Sequence, residues 1–335
     1  MPKAGLTARV WGAPLLAALV VLSGGCRRKQ TEPQPKPKPT APAEPHPKVL
    51  YIPGAADPDA IDLSSPDHPA PGVMEHNAGF APQTGRCPAD MVLVSGSYCV
   101  DRYEVRLLDA GQGRELSPHY PPSKRFSVSL YERWHEEAAA PRGILGRSLS
   151  LPAPPRFQLL EDFEPRAVSQ AQVLPAGYLS FHSADQACKN ASKRLCTRAE
   201  WVNACRGEHN SQFPYGYDYE SGTCNVHREH HPAQLLHGNS SKNHMDPRLN
   251  LTHDQMGPLL RLTGATERCV SAWGSDGIYD MVGNLDEWID DPEGTFLGGF
   301  YARGTKAGCD AAIDSHDPGY MDYSLGTRCC RELSF

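Results

Sequence analysis

The fold is decided by one stretch of sequence, Gly277-Ile278-Tyr279-Asp280-Met281-Val282-Gly283-Asn284-Leu285-Asp286-Glu287-Trp288. Carboxylates and large apolar side chains are set within one tight turn that contains glycine. The chain beyond Gly207 has a similar pattern, with few long periodic runs but many glycines, aromatic residues and cysteines. This composition predicts a core that is built from loops linked by disulfides, and not from long regular elements.

Upstream of this stretch, short regular elements are predicted. Met91–Val94 and Tyr98–Val105 flank Ser95-Gly96-Ser97, which predicts a β-hairpin. Ser183 with Gln186, and Thr197 with Glu200, have capping-box spacing, so each pair predicts a helix start. Residues 107–175 are irregular and rich in proline, with one predicted helix near Leu130–Ala140, and we interpret them as a long insertion of unassigned role.

The N-terminal 25 residues resemble a bacterial lipoprotein signal. Lys3 and Arg9 precede an apolar run of about 13 residues, which is short of the roughly 20 that a membrane-spanning helix needs. The run closes on Ser23-Gly24-Gly25-Cys26, so Cys26 is the predicted lipidation site. Leucine lies four places before the cysteine and not the usual three, which keeps open cleavage to a soluble periplasmic protein.

Residues 26–86 predict a disordered, proline-rich tether, because alternating prolines remove backbone donors and favour extended, solvated chain. The remainder, 87–335, is long enough for one domain. Net charge is -6 and basic residues are scattered, which argues against a nucleic-acid partner.

Ten cysteines remain after Cys26 is set aside for the lipid. An even number in an exported domain predicts disulfides, whose pairing the sequence does not fix. The candidates are Cys87, Cys99, Cys188, Cys196, Cys205, Cys224, Cys269, Cys309, Cys329 and Cys330.

Three stretches in order resemble the formylglycine-generating enzyme, or sulfatase-modifying factor, domain. They are Met91–Val94 leading into Asp101-Arg102-Tyr103-Glu104-Val105; Lys193–Trp201 with Cys205-Arg206-Gly207, Phe213-Pro214-Tyr215-Gly216 and Cys224-Asn225; and Gly277–Trp288 with Gly298-Gly299 and Gly326-Thr327-Arg328-Cys329-Cys330. The resemblance implies an α/β (α+β) fold akin to C-type lectins, rich in loops and linked by disulfides. It covers most of Cys87–Cys330 except the insertion.

Calcium is the expected cofactor. The resemblance implies a site made by Asp280, the carbonyls of Gly283 and Leu285, and Glu287, and carboxylates interleaved with carbonyls in one turn are also ligands that calcium prefers. The alternative is that the two carboxylates only brace the turn. Asn225 and Val226 match part of a second calcium site, for which Asp246 and Asp254 are candidate further ligands.

Copper is not expected. Family members that oxidise a sulfatase cysteine hold copper(I) between two cysteines five residues apart, shortly after the Gly-Gly pair, and thiolates suit that soft ion. Here Arg303 stands at the first position, and only Cys309 falls near the second, offset by one residue. Cys309 is thus the candidate catalytic residue of an oxidase but reads better as half of a disulfide, with Cys269, Cys329 or Cys330 as partners considered.

A second branch of the family, the iron-dependent sulfoxide synthases, has a His-x3-His-x-Glu ligand set. The nearest match is His227 to His231, but Ala233 stands at the glutamate position. Six histidines fall between residues 227 and 253 and could bind a metal, since imidazole suits zinc, copper and iron. A solvated histidine-rich loop is the favoured interpretation.

The sequence therefore predicts an exported lipoprotein, held by membrane lipid and placed in the outer membrane facing the periplasm or the surface. Its domain is expected to be diverged and non-catalytic, and to bind a peptide, a glycan or an envelope protein. The alternatives are a copper-dependent formylglycine-generating oxidase or related thiol oxidase, and a non-haem iron enzyme of the same superfamily.

Overall fold

The structure, a computed structural model, describes residues 86–137 and 143–333. The predicted signal peptide, Cys26 and the tether up to residue 85 lie outside the described residues. Within them the strands are β1 Met91–Val94, β2 Tyr98–Asp101, β3 Val105–Asp109, β4 Pro165–Ser169, β5 Arg194–Leu195, β6 His253–Asp254, β7 Gly257–Pro258, β8 Val270–Trp273, β9 Asp276–Tyr279, β10 Asp286–Trp288, β11 Phe296–Leu297, β12 Ala312–Ile313, β13 Leu325–Thr327 and β14 Cys329–Glu332. The helices are α1 Lys124–Glu137, α2 Arg156–Leu160, α3 Phe181–Asn190, α4 Arg198–Arg206 and α5 Pro232–His237, and short 3-10 turns cover Leu249–Leu251 and Gly308–Asp310.

One four-stranded sheet joins the two ends of the domain in the order β1-β2-β14-β5. The predicted hairpin is confirmed, with β1 and β2 antiparallel and Val94 opposite Tyr98. Strand β14 lies between β2 and β5, so the last strand of the chain pairs with strands formed far earlier. The sheet therefore depends on contacts that no local pattern specifies.

A second sheet, in the order β12-β11-β10-β13, holds the stretch that decides the fold. Strand β10 is central, antiparallel to β11 and parallel to β13. All three of its residues are buried, and the Trp288 indole Nε1 donates to the Leu179 carbonyl at 2.8 Å. Burial on both faces explains why the sequence here shows no alternation of polar and apolar residues.

Both helices predicted from capping boxes are present. Helix α4 begins as predicted, with the Thr197 hydroxyl accepting from the Glu200 amide and the Glu200 carboxylate accepting from the Thr197 amide. Helix α3 begins three residues before the predicted start, because Ser180 is its N-cap and Ser183 its capping-box partner. A serine hydroxyl reaches back to the N-cap amide here, so Gln186 is not needed.

The insertion is closed at its base by β3 and β4, which pair antiparallel from Val105 opposite Ser169 to Asp109 opposite Pro165. Its main helix, α1, starts at Lys124, six residues before the predicted start near Leu130. The Trp134 side chain is buried, and its Nε1 donates to the Met245 carbonyl at 3.1 Å. The insertion is therefore packed on the rest of the domain and is not a loose loop.

All ten cysteines of the domain form disulfides. The pairs are Cys87–Cys99, Cys188–Cys329, Cys196–Cys330, Cys205–Cys309 and Cys224–Cys269. Cys309 is thus half of a disulfide as predicted, but the three partners considered were wrong, because the 3-10 turn at Gly308–Asp310 lies against α4, which carries Cys205.

No helix among residues 86–137 and 143–333 is long and apolar enough to cross a membrane. Five disulfides are compatible with export, since disulfides persist in oxidising compartments.

Candidate functional site

The position matched to the first copper ligand holds an ion pair. Arg303 Nη2 donates to Asp286 Oδ1 at 2.6 Å, and the Gly299 amide donates to the same oxygen at 3.0 Å. Asp286 is buried at the start of β10, whereas 22% of the Arg303 side chain is exposed. The site thus holds a guanidinium paired with a carboxylate, and neither group is a soft donor for copper(I).

The charge on Asp286 is finely balanced. Burial raises the pKa of this carboxyl to about 7, with the Arg303 guanidinium opposing the rise and the Asp322 carboxylate adding to it. The Arg303 guanidinium has hydrogen-bond donors and no acceptor, so it donates to the carboxyl group at this position.

The second copper position is closed as well. Cys309 Sγ is bonded to Cys205 Sγ in α4 at 2.01 Å, and the neighbouring Arg206 Nη2 donates to both carboxylate oxygens of Asp310 at the surface. Gly308 has a φ of +60°, and an added Cβ would lie 2.2 Å from the Gln212 carbonyl oxygen, so this turn requires glycine. Cys309 provides no free thiolate here, and the residues present do not fit copper(I).

Glu287 is the most heavily used carboxylate in the 277–288 stretch. Arg328 Nε lies 3.0 Å from Oε1 and 2.7 Å from Oε2, Arg328 Nη2 lies 2.7 Å from Oε1, and the Trp201 indole donates to Oε2 at 2.6 Å. Arg328 is fully buried and also donates to the Tyr279 carbonyl at 2.9 Å. Three N–H groups thus donate to Glu287, and the single Nε hydrogen of Arg328 is shared between its two oxygens.

Two further carboxylates at this turn, those of Asp280 and Glu104, accept hydrogen bonds from backbone amides. Asp280 Oδ2 accepts from the Gly264 amide at 2.7 Å, and burial raises the pKa of Asp280 to about 7. Glu104 accepts from the Leu285 amide and the Asn284 side chain, and burial raises its pKa, with Asp280 and Glu287 adding to the rise. Sequence reasoning gave no role to Glu104 or Arg328, although both lie in the stretches that carried the resemblance.

The turn, as arranged, does not fit a calcium ion. Calcium needs six to eight oxygens, and both oxygens of Glu287 accept from the buried Arg328 cation, whose charge opposes a second cation beside it. Among the described residues, no three side chains of histidine, cysteine, aspartate or glutamate are grouped to hold a metal. Calcium at Asp280, Gly283, Leu285 and Glu287 stays a prediction, and it would require Glu287 to leave Arg328.

Asn225 and Val226 lie against this turn. Asn225 Nδ2 donates to Asn284 Oδ1 and to the Leu259 carbonyl, both at 2.9 Å, while its buried Oδ1 has no hydrogen-bond partner. Gly283 must be glycine because a Cβ there would lie 2.4 Å from the Asn225 carbonyl oxygen. Of the two further candidate ligands, Asp246 is paired with Arg248 and His237, and Asp254 with Arg228.

The histidines of the 227–253 segment are dispersed among separate roles. His227 Nε2 lies 2.6 Å from the Thr305 carbonyl, His231 caps α5, and His237 Nε2 lies 2.9 Å from Asp246 Oδ2. His244 bonds the Ser240 carbonyl, and His253 is exposed. This segment does not present the ligand set of an iron-dependent enzyme within the described residues.

The insertion forms one wall of a cleft of about 860 Å³. Pro121 to Val128 and Asp162 to Pro165 face the start of α3 and Met321 across it. A volume of this size lies in the range of ligand clefts in proteins, and its lining mixes apolar side chains with polar ones. The segment to which the sequence assigns no role therefore forms part of a cleft large enough for a ligand.

Residues 156–333 match the profile of the sulfatase-modifying factor enzyme 1-like domain. The chain belongs to this family. The match confirms the predicted formylglycine-generating-enzyme domain, and it begins inside the segment that we interpret as an insertion. No curated protein matches the chain.

Solved structures similar to this family member share few identical residues with it. They include the Major Tropism Determinant I1 variant at 12% identity and a TM-score of 0.37, covering 76% of this chain and 55% of that one. CarF matches at 13% identity and 0.33, covering 71% and 87%, and PvdO from Pseudomonas aeruginosa at 14% and 0.34, covering 70% and 80%. The chain spans about half the length of the tropism determinant.

Proposed function

We propose that this protein is an envelope lipoprotein whose sulfatase-modifying-factor domain is diverged and non-catalytic, and that it binds a peptide, a glycan or an envelope protein. The observation that carries the proposal is the Arg303–Asp286 ion pair at the position of the first copper ligand. Copper(I) and a substrate thiol need soft donors in fixed geometry, and a guanidinium supplies a repelling charge instead.

The disulfide of Cys309 supports the same conclusion. A thiolate is the nucleophile and metal ligand in cysteine chemistry, and a cysteine bonded to Cys205 supplies none. A binding function does not require free thiolates, because a rigid, disulfide-linked scaffold with a cleft is enough to hold a partner.

The proposal is tested with a sulfatase-type peptide that contains the target cysteine. We expect no conversion of its thiol to an aldehyde by the purified protein, even with copper(I), oxygen and a reductant present. An active formylglycine-generating enzyme serves as the positive control for the assay. Conversion that depends on this protein and is lost in Cys309→Ser would return the chain to the oxidase class.

A count of free thiols gives an independent reading. Alkylation without reduction, followed by mass spectrometry, should modify no more than one or two of the ten cysteines in the domain, because all ten are paired in the structure. Modification of both Cys205 and Cys309 would show that a thiol pair is available there and would weaken the proposal.

A further inference from the structure

The backbone of the loop 225–228 positions the Arg228 side chain beside Asp254. The Arg228 amide donates to the Tyr301 carbonyl at 2.9 Å, which fixes the segment 225–228 beside residues 301–303. From this position Arg228 Nη2 donates to Asp254 Oδ1 at 2.5 Å, and Nε donates to Oδ2 at 3.3 Å. The side chains are only 5% and 6% exposed, so this is a desolvated, two-pronged pair.

The same guanidinium closes the hairpin of β6 and β7. Arg228 Nη2 also donates to the Gly257 carbonyl at 3.2 Å, and Asp254 Oδ1 accepts from the Met256 amide at 2.8 Å. One cation from the loop that bears Asn225 thus binds two oxygens, a carboxylate and a carbonyl, that both belong to the hairpin. Carboxylate and carbonyl oxygens are also the ligands that calcium prefers.

Three buried polar atoms of this loop have no hydrogen-bond partner, namely Asn225 Oδ1, Arg228 Nη1 and His230 Nδ1. His230 Nδ1 lies 3.9 Å from Asp254 Oδ2. An oxygen such as Asn225 Oδ1 could ligate a cation, but a guanidinium nitrogen is only a donor and has no place in a shell of oxygens. Nitrogen donors therefore surround Asp254, where a calcium site would need further oxygens.

We infer that Arg228 takes the place of a divalent cation between the Asn225 loop and Asp254. These loops are held by an ion pair within the chain, so Asp254 binds no calcium while Arg228 is present. The inference does not depend on the proposed binding function, and it concerns a different pair from Glu287 and Arg328.

Thermal melting of the purified full chain tests the inference in calcium and in chelator. The difference in melting temperature between calcium and chelator should be the same for Asp254→Asn as for the native protein. Arg228→Gln leaves a buried carboxylate without its counter-charge, so its melting temperature in chelator should fall. Calcium should then recover about half or more of that loss, because a ligand that binds only the folded state stabilises it.

Two variants serve as controls. Arg114→Gln breaks another arginine–aspartate pair, in the insertion, in which Arg114 Nε and Nη2 both donate to Asp109 Oδ2 and Nη1 donates to Glu161, and the stability lost in this variant should not respond to calcium. The double variant Arg228→Gln with Asp254→Asn removes both charges and should lose the calcium response that Arg228→Gln gains.

Two outcomes would overturn the inference. One is a calcium response of the native protein that disappears in Asp254→Asn, which would mean that Asp254 binds calcium beside Arg228. The other is an Arg228→Gln variant that is destabilised and indifferent to calcium, which would make the pair an ordinary salt bridge. If Arg228→Gln does not fold, the comparison of the native protein with Asp254→Asn still decides the first outcome.

Discussion

At the scale of single residues, the charge of Asp286 depends on pH near neutrality. Its pKa in the folded protein is about 7 because the carboxyl is buried, although Arg303 lies against it. A carboxyl whose folded-state pKa is raised contributes stability that is fully present below its ordinary pKa of 3.8 and is lost as pH rises through about 7. Asp280 acts in the same direction, since burial also raises its pKa to about 7.

We therefore predict that Asp286→Asn flattens the pH dependence of the free energy of unfolding. Between pH 4 and 8 the native protein should lose up to about 4 kcal/mol through this group, since one pKa unit corresponds to about 1.4 kcal/mol. Asparagine keeps the shape and does not titrate, and the partly exposed Arg303 can be solvated without its partner.

Urea unfolding at several pH values measures this difference. The matched control is Asp218→Asn, at an exposed position, which should keep the native profile. If Asp286→Asn retained the full pH dependence, burial would not be what holds a proton on Asp286.

At the scale of an element, helix α1 ties the insertion to the domain. The Trp134 ring is 2% exposed, lies 5.6 Å from the His237 ring and donates its indole hydrogen to the Met245 carbonyl. Phe126 on the same helix is 43% exposed and lines the cleft. The two aromatic residues therefore divide the helix into an anchoring part and a cleft-facing part.

Trp134→Ala should destabilise the protein by about 3–5 kcal/mol, because it leaves a cavity and an unbonded carbonyl. Phe126→Ala should cost much less, since most of the energy of burying a ring is absent at an exposed position. Urea unfolding gives both values, and limited proteolysis should cut the insertion first in Trp134→Ala. Equal losses in the two variants would show that the insertion is not anchored through Trp134.

At the scale of the whole molecule, the predicted attachment to the membrane depends on residues before the described domain. We predict that Cys26→Ser releases the protein from membranes and leaves the domain folded, because a lipid on one cysteine and not a helix is the predicted anchor. Cell fractionation measures the release, and the five disulfides report folding. A variant that stayed in the membrane pellet would make the apolar run before Cys26 an uncleaved anchor.

The sequence by itself determined the family, the β1–β2 hairpin, the α4 start and the loss of a cysteine at Arg303. These follow from local patterns, since hairpins, capping boxes and motif residues are specified by neighbours in the chain. Only the tertiary structure decided the disulfide partners, the Asp286–Arg303 pair and the pairing of Glu287 with Arg328. Each of these joins residues far apart in sequence. The charge, the burial and the hydrogen bonds of a side chain depend on which distant group the fold brings against it.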